Sequence, residues 1–176
     1  MERKHYIIGV IIFLLFAVSA AADETLTYTE RIVALTILGE ARGEGKAGMY
    51  AVACILEKRR IESDKHMTEV CLKPKQFSIW NGIAKSQYDA QEQKLDYLWK
   101  EKPEVVNYAR WLARKCVSRT ERLDQKFTGN ANHYYSTDRK TPPYWTFKIE
   151  EKNGKKIKTP IKPTRKIGKH IFYKLK

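Results

Sequence analysis

Apolar residues recur with helical spacing over the first two-thirds of this chain, and the pattern changes near Phe127. From Thr29 to about Glu40, the run containing Ile32, Val33, Leu35, Thr36 and Leu38 has almost no polar face, which predicts a largely buried helix. Thr29 reads as its N-cap, with Glu30 in the first turn, where negative charge suits the helix dipole. Gly39 and Gly43 crowd the end of this helix, and Gly43-Glu44-Gly45 reads as a turn. A second apolar helix is predicted from Lys46 to about Ile61, built on Met49, Val52, Ala53, Ile55 and Leu56. It ends in Lys58-Arg59-Arg60, which reads as a solvated basic face. Residues 63–86, with Pro74 and Gly82, read as loop, and two further helices fit about 88–101 and 104–118.

Beyond Phe127 the chain is aromatic and basic. Phe147 to Glu151 and Lys155 to Lys158 flank Asn153-Gly154, a strong hairpin signal. Ile167 to Tyr173 closes the chain as one strand-like stretch. The whole predicts a single α+β domain, helical in its N-terminal two-thirds, with a small hairpin-containing C-terminal part.

A length of 176 residues suits one domain. With 43% hydrophobic and 31% charged residues the composition is that of a globular protein, which disfavours disordered, collagen-like and polytopic membrane classes. The excess of 34 Lys and Arg over 20 Asp and Glu, a net +14, changes the picture. It predicts attraction to a polyanion: nucleic acid, an acidic membrane or an anionic cell wall.

The first residues choose among these. Arg3 and Lys4 precede an apolar run from Tyr6 through Val18 that exits through Ala20-Ala21-Ala22 into Asp23-Glu24. A positive start, a short apolar stretch and small exit residues describe a secretory signal peptide over residues 1–22. An uncleaved N-terminal anchor is the alternative, although the run is shorter than the roughly 20 residues a spanning helix needs. Cleavage after Ala22 leaves a catalytic-sized domain, residues 23–176, with 32 basic and 19 acidic residues and a charge of +13. Export to the periplasm, envelope or medium removes nucleic acid as a partner. It also limits membrane contact to the signal segment before cleavage.

Three cysteines, an odd number, allow at most one intramolecular disulfide. Cys54 lies on an apolar helix face and reads as a small core residue, which leaves Cys71 and Cys116 as the better pair. No Cys/His cluster supports a metal site, and no cofactor is implied.

Gly39-Glu40-Ala41-Arg42-Gly43-Glu44 is the sharpest candidate for chemistry. If the helix runs through, Glu40 and Glu44 share a face at i and i+4, and the neighbouring glycine lets a bulky ligand approach the backbone. Burial favours the neutral form of a carboxyl, which then serves as a general acid. The bland alternative is a frayed helix end solvated by two carboxylates, and from spacing alone it is the commoner case. His133 beside Tyr134-Tyr135, and His170 near Phe172-Tyr173, read either as acid–base groups or as packed, hydrogen-bonded residues. Trp80, Trp145, Tyr134, Tyr135 and Tyr144 are numerous enough to line a sugar-binding groove, or to fill a core.

Four blocks together resemble the catalytic domain of the cell-wall hydrolase family typified by the spore cortex-lytic enzyme SleB. They are Gly39 to Glu44 with the helix Gly48 to Leu56 behind it, and Val70-Cys71 leading to Pro74-Lys75-Gln76-Phe77-Ser78-Ile79-Trp80. Ala131-Asn132-His133-Tyr134-Tyr135 continuing to Pro142-Pro143-Tyr144-Trp145, and Ile167 to Tyr173, complete the set. The resemblance implies a lysozyme-like domain that cleaves peptidoglycan between MurNAc and GlcNAc, as a lytic transglycosylase forming 1,6-anhydro-MurNAc. It implies that Glu40 is the catalytic acid/base and peptidoglycan the partner; separately, the chain is expected to be a monomer. By position in the matched blocks, Gln76, Phe77, Trp80, His133, Tyr134 and Tyr135 become groove candidates. Glu44 is either a second carboxylate that steers water, giving plain muramidase hydrolysis, or a residue that holds the loop, and the second is favoured.

The chain departs from the family pattern in two ways. Glu150 to Arg165 looks longer and more basic than the usual connection, either a wall-binding hairpin or a solvated insertion. A separate peptidoglycan-binding repeat domain is lacking, which argues against a dedicated spore-cortex role. A non-catalytic cationic wall-binding protein, which needs the charge and aromatics but not Glu40, is the competing class.

Overall fold

Helix α1 (Tyr28–Ala41) runs through the centre of the computed structural model, which describes residues 25–83, 91–118 and 120–176. The apolar run read as a signal peptide lies outside these residues. Among the described residues no helix is long and apolar enough to cross a membrane. All residues from Ile32 to Leu38 are at most 1% exposed, because other elements surround α1. Its one polar core residue is satisfied: Thr36 donates to the Ile32 carbonyl at 2.7 Å and accepts from Trp80 Nε1 at 3.0 Å. The N-cap is Thr27 rather than Thr29. Thr27 has Glu30 three residues ahead, so its side chain accepts from the Glu30 N–H and Glu30 accepts from the Thr27 N–H, a full capping box. Thr29 would have apolar Ile32 in that position.

A 3₁₀ turn, Arg42–Glu44, joins α1 to α2 (Gly45–Ser63), which opens at a positive φ of 67° on Gly45. Inside the segment expected to be loop, Met67–Leu72 forms a short helix, α3. Met67, Val70 and Cys71 are buried at helical spacing, but six residues are too few for the period to stand out. Gln91–Lys100 is helical as expected but of the 3₁₀ type. Its buried residues, Glu92, Leu95 and Leu98, fall every third position, which matches three residues per turn. Helix α4 (Pro103–Val117) starts with proline in its first turn and buries Val106, Ala109, Leu112, Ala113 and Cys116.

The C-terminal part holds two antiparallel sheets, so the fold is α+β. Strands β1 (His133–Ser136), β4 (Arg165–Ile167) and β5 (His170–Tyr173) pair in the order β1-β5-β4. The stretch read as one closing strand is therefore two, folded back at Gly168, whose φ is 54°. Strands β2 (Phe147–Lys152) and β3 (Lys155–Pro160) form the expected hairpin. Asn153 and Gly154 both take positive φ, as a two-residue type I′ turn requires.

The three cysteines are free and fully buried, so Cys71 and Cys116 are not bridged. Both have polar neighbours in sequence, yet their side chains point into the core, where Cys116 contacts the Ala53 carbonyl. Cys54 lies on the buried face of α2 as read.

Candidate active site

Glu40 occupies the last turn of α1, where the helix emerges from the core, and lines a groove of about 490 Å³. The α-helix stops at Ala41, so Glu40 and Glu44 do not form an i, i+4 pair on one helical face. Their surroundings differ. Glu40 Oε2 accepts from the Tyr134 hydroxyl at 2.9 Å, while Oε1 receives the Ser78 hydroxyl at 3.2 Å and the Ile79 N–H at 3.4 Å. Glu44 is absent from the groove lining, and its Oε2 accepts the Lys169 N–H at 2.8 Å. That bond ties the α1–α2 connection to the β4–β5 turn. A Cβ on Gly168 would lie 2.1 Å from Glu44 Oε2, so the tether depends on glycine there.

The glycine beside Glu40 has a different use from the one expected. A Cβ on Gly39 would fall 2.5 Å from Ile79 Cγ1, so the space is filled by the protein's own isoleucine and not by a ligand. This close approach brings the Ser78–Trp80 turn onto the end of α1 and supplies both donors to Oε1.

Opposite Glu40 runs β1, and His133, Tyr134, Tyr135 and Ser136 all line the groove. Tyr134 packs inward, with its ring 4.8 Å from His170 and 5.6 Å from Phe172. Burial, and then the charge of Glu40, push its hydroxyl far above the usual tyrosine range, so it remains a proton donor. His133 and Tyr135 face the other way, toward Trp145, with ring centroids at 5.2 and 6.1 Å. Burial, and then Arg59, push the His133 imidazole down to about 4, so it is neutral at ordinary pH. His170 is 5% exposed and is likewise shifted downward, chiefly by burial.

Of the residues expected to line the groove, Gln76, His133, Tyr134 and Tyr135 meet there with Glu40. Phe77 and Trp80 do not. They are 2% and 1% exposed, and Trp80 is anchored on Thr36 in the core. Tyr144 is 83% exposed and lies outside the groove, whereas Trp145 is part of its wall.

Arg59 and Ser78 were not singled out. Arg59 sits in the basic run read as solvated, yet it is enclosed, and burial lowers its guanidinium to about 10, still a cation at neutral pH. It lies over the Phe77 ring at 5.3 Å and donates from Nε to the Asn132 carbonyl at 2.7 Å. The Gln76 amide, turned with its oxygen toward Arg59, accepts from both terminal nitrogens at 3.1 and 2.7 Å. The signal was its position: residue 59 follows Val52, Ile55 and Leu56 by seven, four and three, so it continues the buried stripe of α2.

A scan against family models matches Cell Wall Hydrolase over residues 43–173, most of the chain. The chain belongs to the cell wall hydrolase family. Neither the curated proteins nor the solved structures gave a match. As a cell wall hydrolase it is an enzyme of peptidoglycan breakdown, with an extracytoplasmic place of action. The matched span includes Glu44 and every groove residue named above except Glu40, which lies three positions before it.

Proposed function

We propose that this cell wall hydrolase cleaves the bond between MurNAc and GlcNAc as a lytic transglycosylase, with Glu40 as its acid and base. The observation that carries this reading is the bond from the Tyr134 hydroxyl to Glu40 Oε2 on the groove wall. Tyr134 engages Oε2, so in this reading Oε1 carries the proton, and its Ser78 and Ile79 donors hold the carboxylate form. The geometry serves both protonation states. In the neutral acid, the Oε2 carbonyl still accepts from Tyr134, while Oε1–H faces the glycosidic oxygen. The Ser78 hydroxyl can turn away when Oε1 carries the proton and donate to Oε1 again once the proton has gone.

In the first half-reaction, Glu40 donates its proton to the glycosidic oxygen and the C1–O bond breaks, assisted by the 2-acetamido group. The Glu40 carboxylate then takes the proton of the muramic 6-hydroxyl as that oxygen bonds to C1 and closes the anhydro ring. Glu40 is neutral again at the end. The absence of Glu44 from the groove lining supports a single-carboxylate mechanism. Gln76, His133, Tyr134 and Tyr135 supply hydrogen bonds and ring faces to the sugars, and Trp145 adds a stacking surface. In this reading residues 1–22 direct export and residues 23–176 form the catalytic domain.

The test is mass spectrometry of fragments released from purified peptidoglycan by residues 23–176, alongside Glu40→Gln and Glu44→Gln. Anhydro-muramyl products that vanish in Glu40→Gln and persist in Glu44→Gln are expected. Reducing-end products lost in Glu44→Gln would replace this reading with two-carboxylate hydrolysis.

A further inference from the structure

The β2–β3 hairpin has no place in the mechanism above, and every residue from Lys148 to Pro160 is exposed. A two-stranded hairpin without a core is marginal on its own, so its side chains face solvent or a partner. Five lysines, at 148, 152, 155, 156 and 158, stand against Glu150 and Glu151. Lys148 is paired with Glu150 at 2.5 Å, and Lys156 stands opposite Glu151 in the register. Lys152 and Lys155 stand opposite each other next to the turn, and Lys158 faces Ile149. Like charges directly across a ladder are destabilising, and an anion bound between them relieves the repulsion. Lys162, Arg165 and Lys166 extend the exposed basic surface beyond β3.

The hairpin is rooted in the groove wall. Pro143 and Trp145 line the groove, and the Thr146 hydroxyl donates to the Pro143 carbonyl at 2.6 Å. At the base of the hairpin, just past β3, the Ile161 N–H donates to the Thr146 carbonyl at 2.8 Å. β2 therefore begins two residues after Trp145 on the groove wall. A bilayer fits less well, since Ile149 and Ile157 occupy adjacent register positions and so project from opposite faces.

We infer that the β2–β3 hairpin is a docking arm for the carboxylate-bearing stem peptides of the glycan strand held in the groove. The inference rests on the proposed peptidoglycan reading and extends it from the sugars to the peptides. Stem peptides hang from successive muramic residues, so a basic arm beside the groove holds a peptide-substituted strand in place. The interaction is electrostatic and weakens with salt.

Binding, read without turnover, tests it. The Glu40→Gln chain is compared with the same chain carrying Lys148→Gln, Lys152→Gln, Lys155→Gln, Lys156→Gln and Lys158→Gln. The probes are peptidoglycan freed of attached polymers, and glycan strands from which an amidase has removed the peptides. The lysine substitutions are expected to cost roughly tenfold in affinity for peptide-bearing peptidoglycan, the sum of several weak screened pairs, and nothing on peptide-free glycan. A second variant, in which an Asn-Gly turn joins Phe147 directly to Pro160, is expected to show the same selective loss. Equal affinity on peptide-bearing peptidoglycan overturns the inference, as does an equal loss on peptide-free glycan. A loss seen only with phosphate polymers still attached, or only on anionic vesicles, assigns the arm to those partners instead. Fragment release by the wild-type chain from peptide-free glycan reports separately on the Glu40 reading.

Discussion

The Tyr134 hydroxyl donates to Glu40 Oε2 at 2.9 Å, joining residues 94 positions apart in sequence. The bond links the end of the buried helix to the edge strand of the three-stranded sheet, and so spans the two halves of the fold. Because the Tyr134 ring is also packed against His170 and Phe172, the donor is held in place without substrate. Tyr134→Phe keeps that packing and removes only the hydroxyl. A hydrogen bond to a charged group contributes about 2 kcal/mol to the resting fold, so the variant is expected to melt a few degrees lower, and to lose up to roughly thirtyfold in kcat where the bond strengthens on the developing carboxylate. Full activity in a folded Tyr134→Phe variant would show that Glu40 does not need this donor.

Gly39→Ala tests how the second set of donors is delivered. The new Cβ meets Ile79 Cβ, Cγ1 and Cδ1, all closer than 3.0 Å. Cβ is not the free end of a flexible side chain, so the Ser78–Trp80 turn itself must move. Overpacking of this kind costs about 1–3 kcal/mol, and here it also withdraws the Ser78 hydroxyl and Ile79 N–H from Glu40. The expected result is a lower melting temperature together with a loss of wall cleavage larger than the unfolded fraction explains. Loss in proportion to unfolding alone would mean that the turn has no part in the chemistry.

Much of this arrangement was legible in the sequence, and what was not has physical reasons. The burial of α1 followed from an apolar run with no polar face, and the hairpin from Asn153-Gly154 between alternating residues. Glu40 stood out as one of two carboxylates four apart at the end of that run, and the resemblance, not the spacing, implied its role as acid/base. Phe77 and Trp80 read as groove residues from their place beside Gln76 in a matched block, and a linear match does not distinguish a side chain in a groove from one beneath it. Arg59 was hidden among exposed-looking cations, because charge outweighs position in a linear reading. The use of Gly39 was also invisible, since Ile79 reaches it only through tertiary folding.

The groove histidines make stability depend on pH. Burial and then Arg59 hold His133 at about 4 against an ordinary 6.5, and burial shifts His170 in the same direction. Between these values the unfolded chain binds protons that the folded chain refuses, so stability rises with pH there. Their contribution is complete above about 6.5 and is lost as pH falls toward 4. Urea midpoints measured across that window are expected to fall in the wild type, and to fall less steeply in His133→Gln. Parallel slopes for the two proteins would show that His133 titrates normally in the fold.

The cysteines pose a different question, since a wall enzyme with three thiols acting outside the cytoplasm risks mispairing. Burial answers it. The Cys54 and Cys71 thiols are pushed up to about 12 by desolvation, and Cys116 is shifted in the same direction by the same cause. The thiolate is the species that attacks a disulfide or an oxidant, so thiols withheld from water and from ionisation are inert. A charged disulfide reagent at pH 8 is therefore expected to find no reactive thiol in the folded protein. Alkylation in denaturant without reductant should add three groups, one at each cysteine. A single added group would mean that two of the thiols had paired, and that the chain had rearranged its core to bring them together.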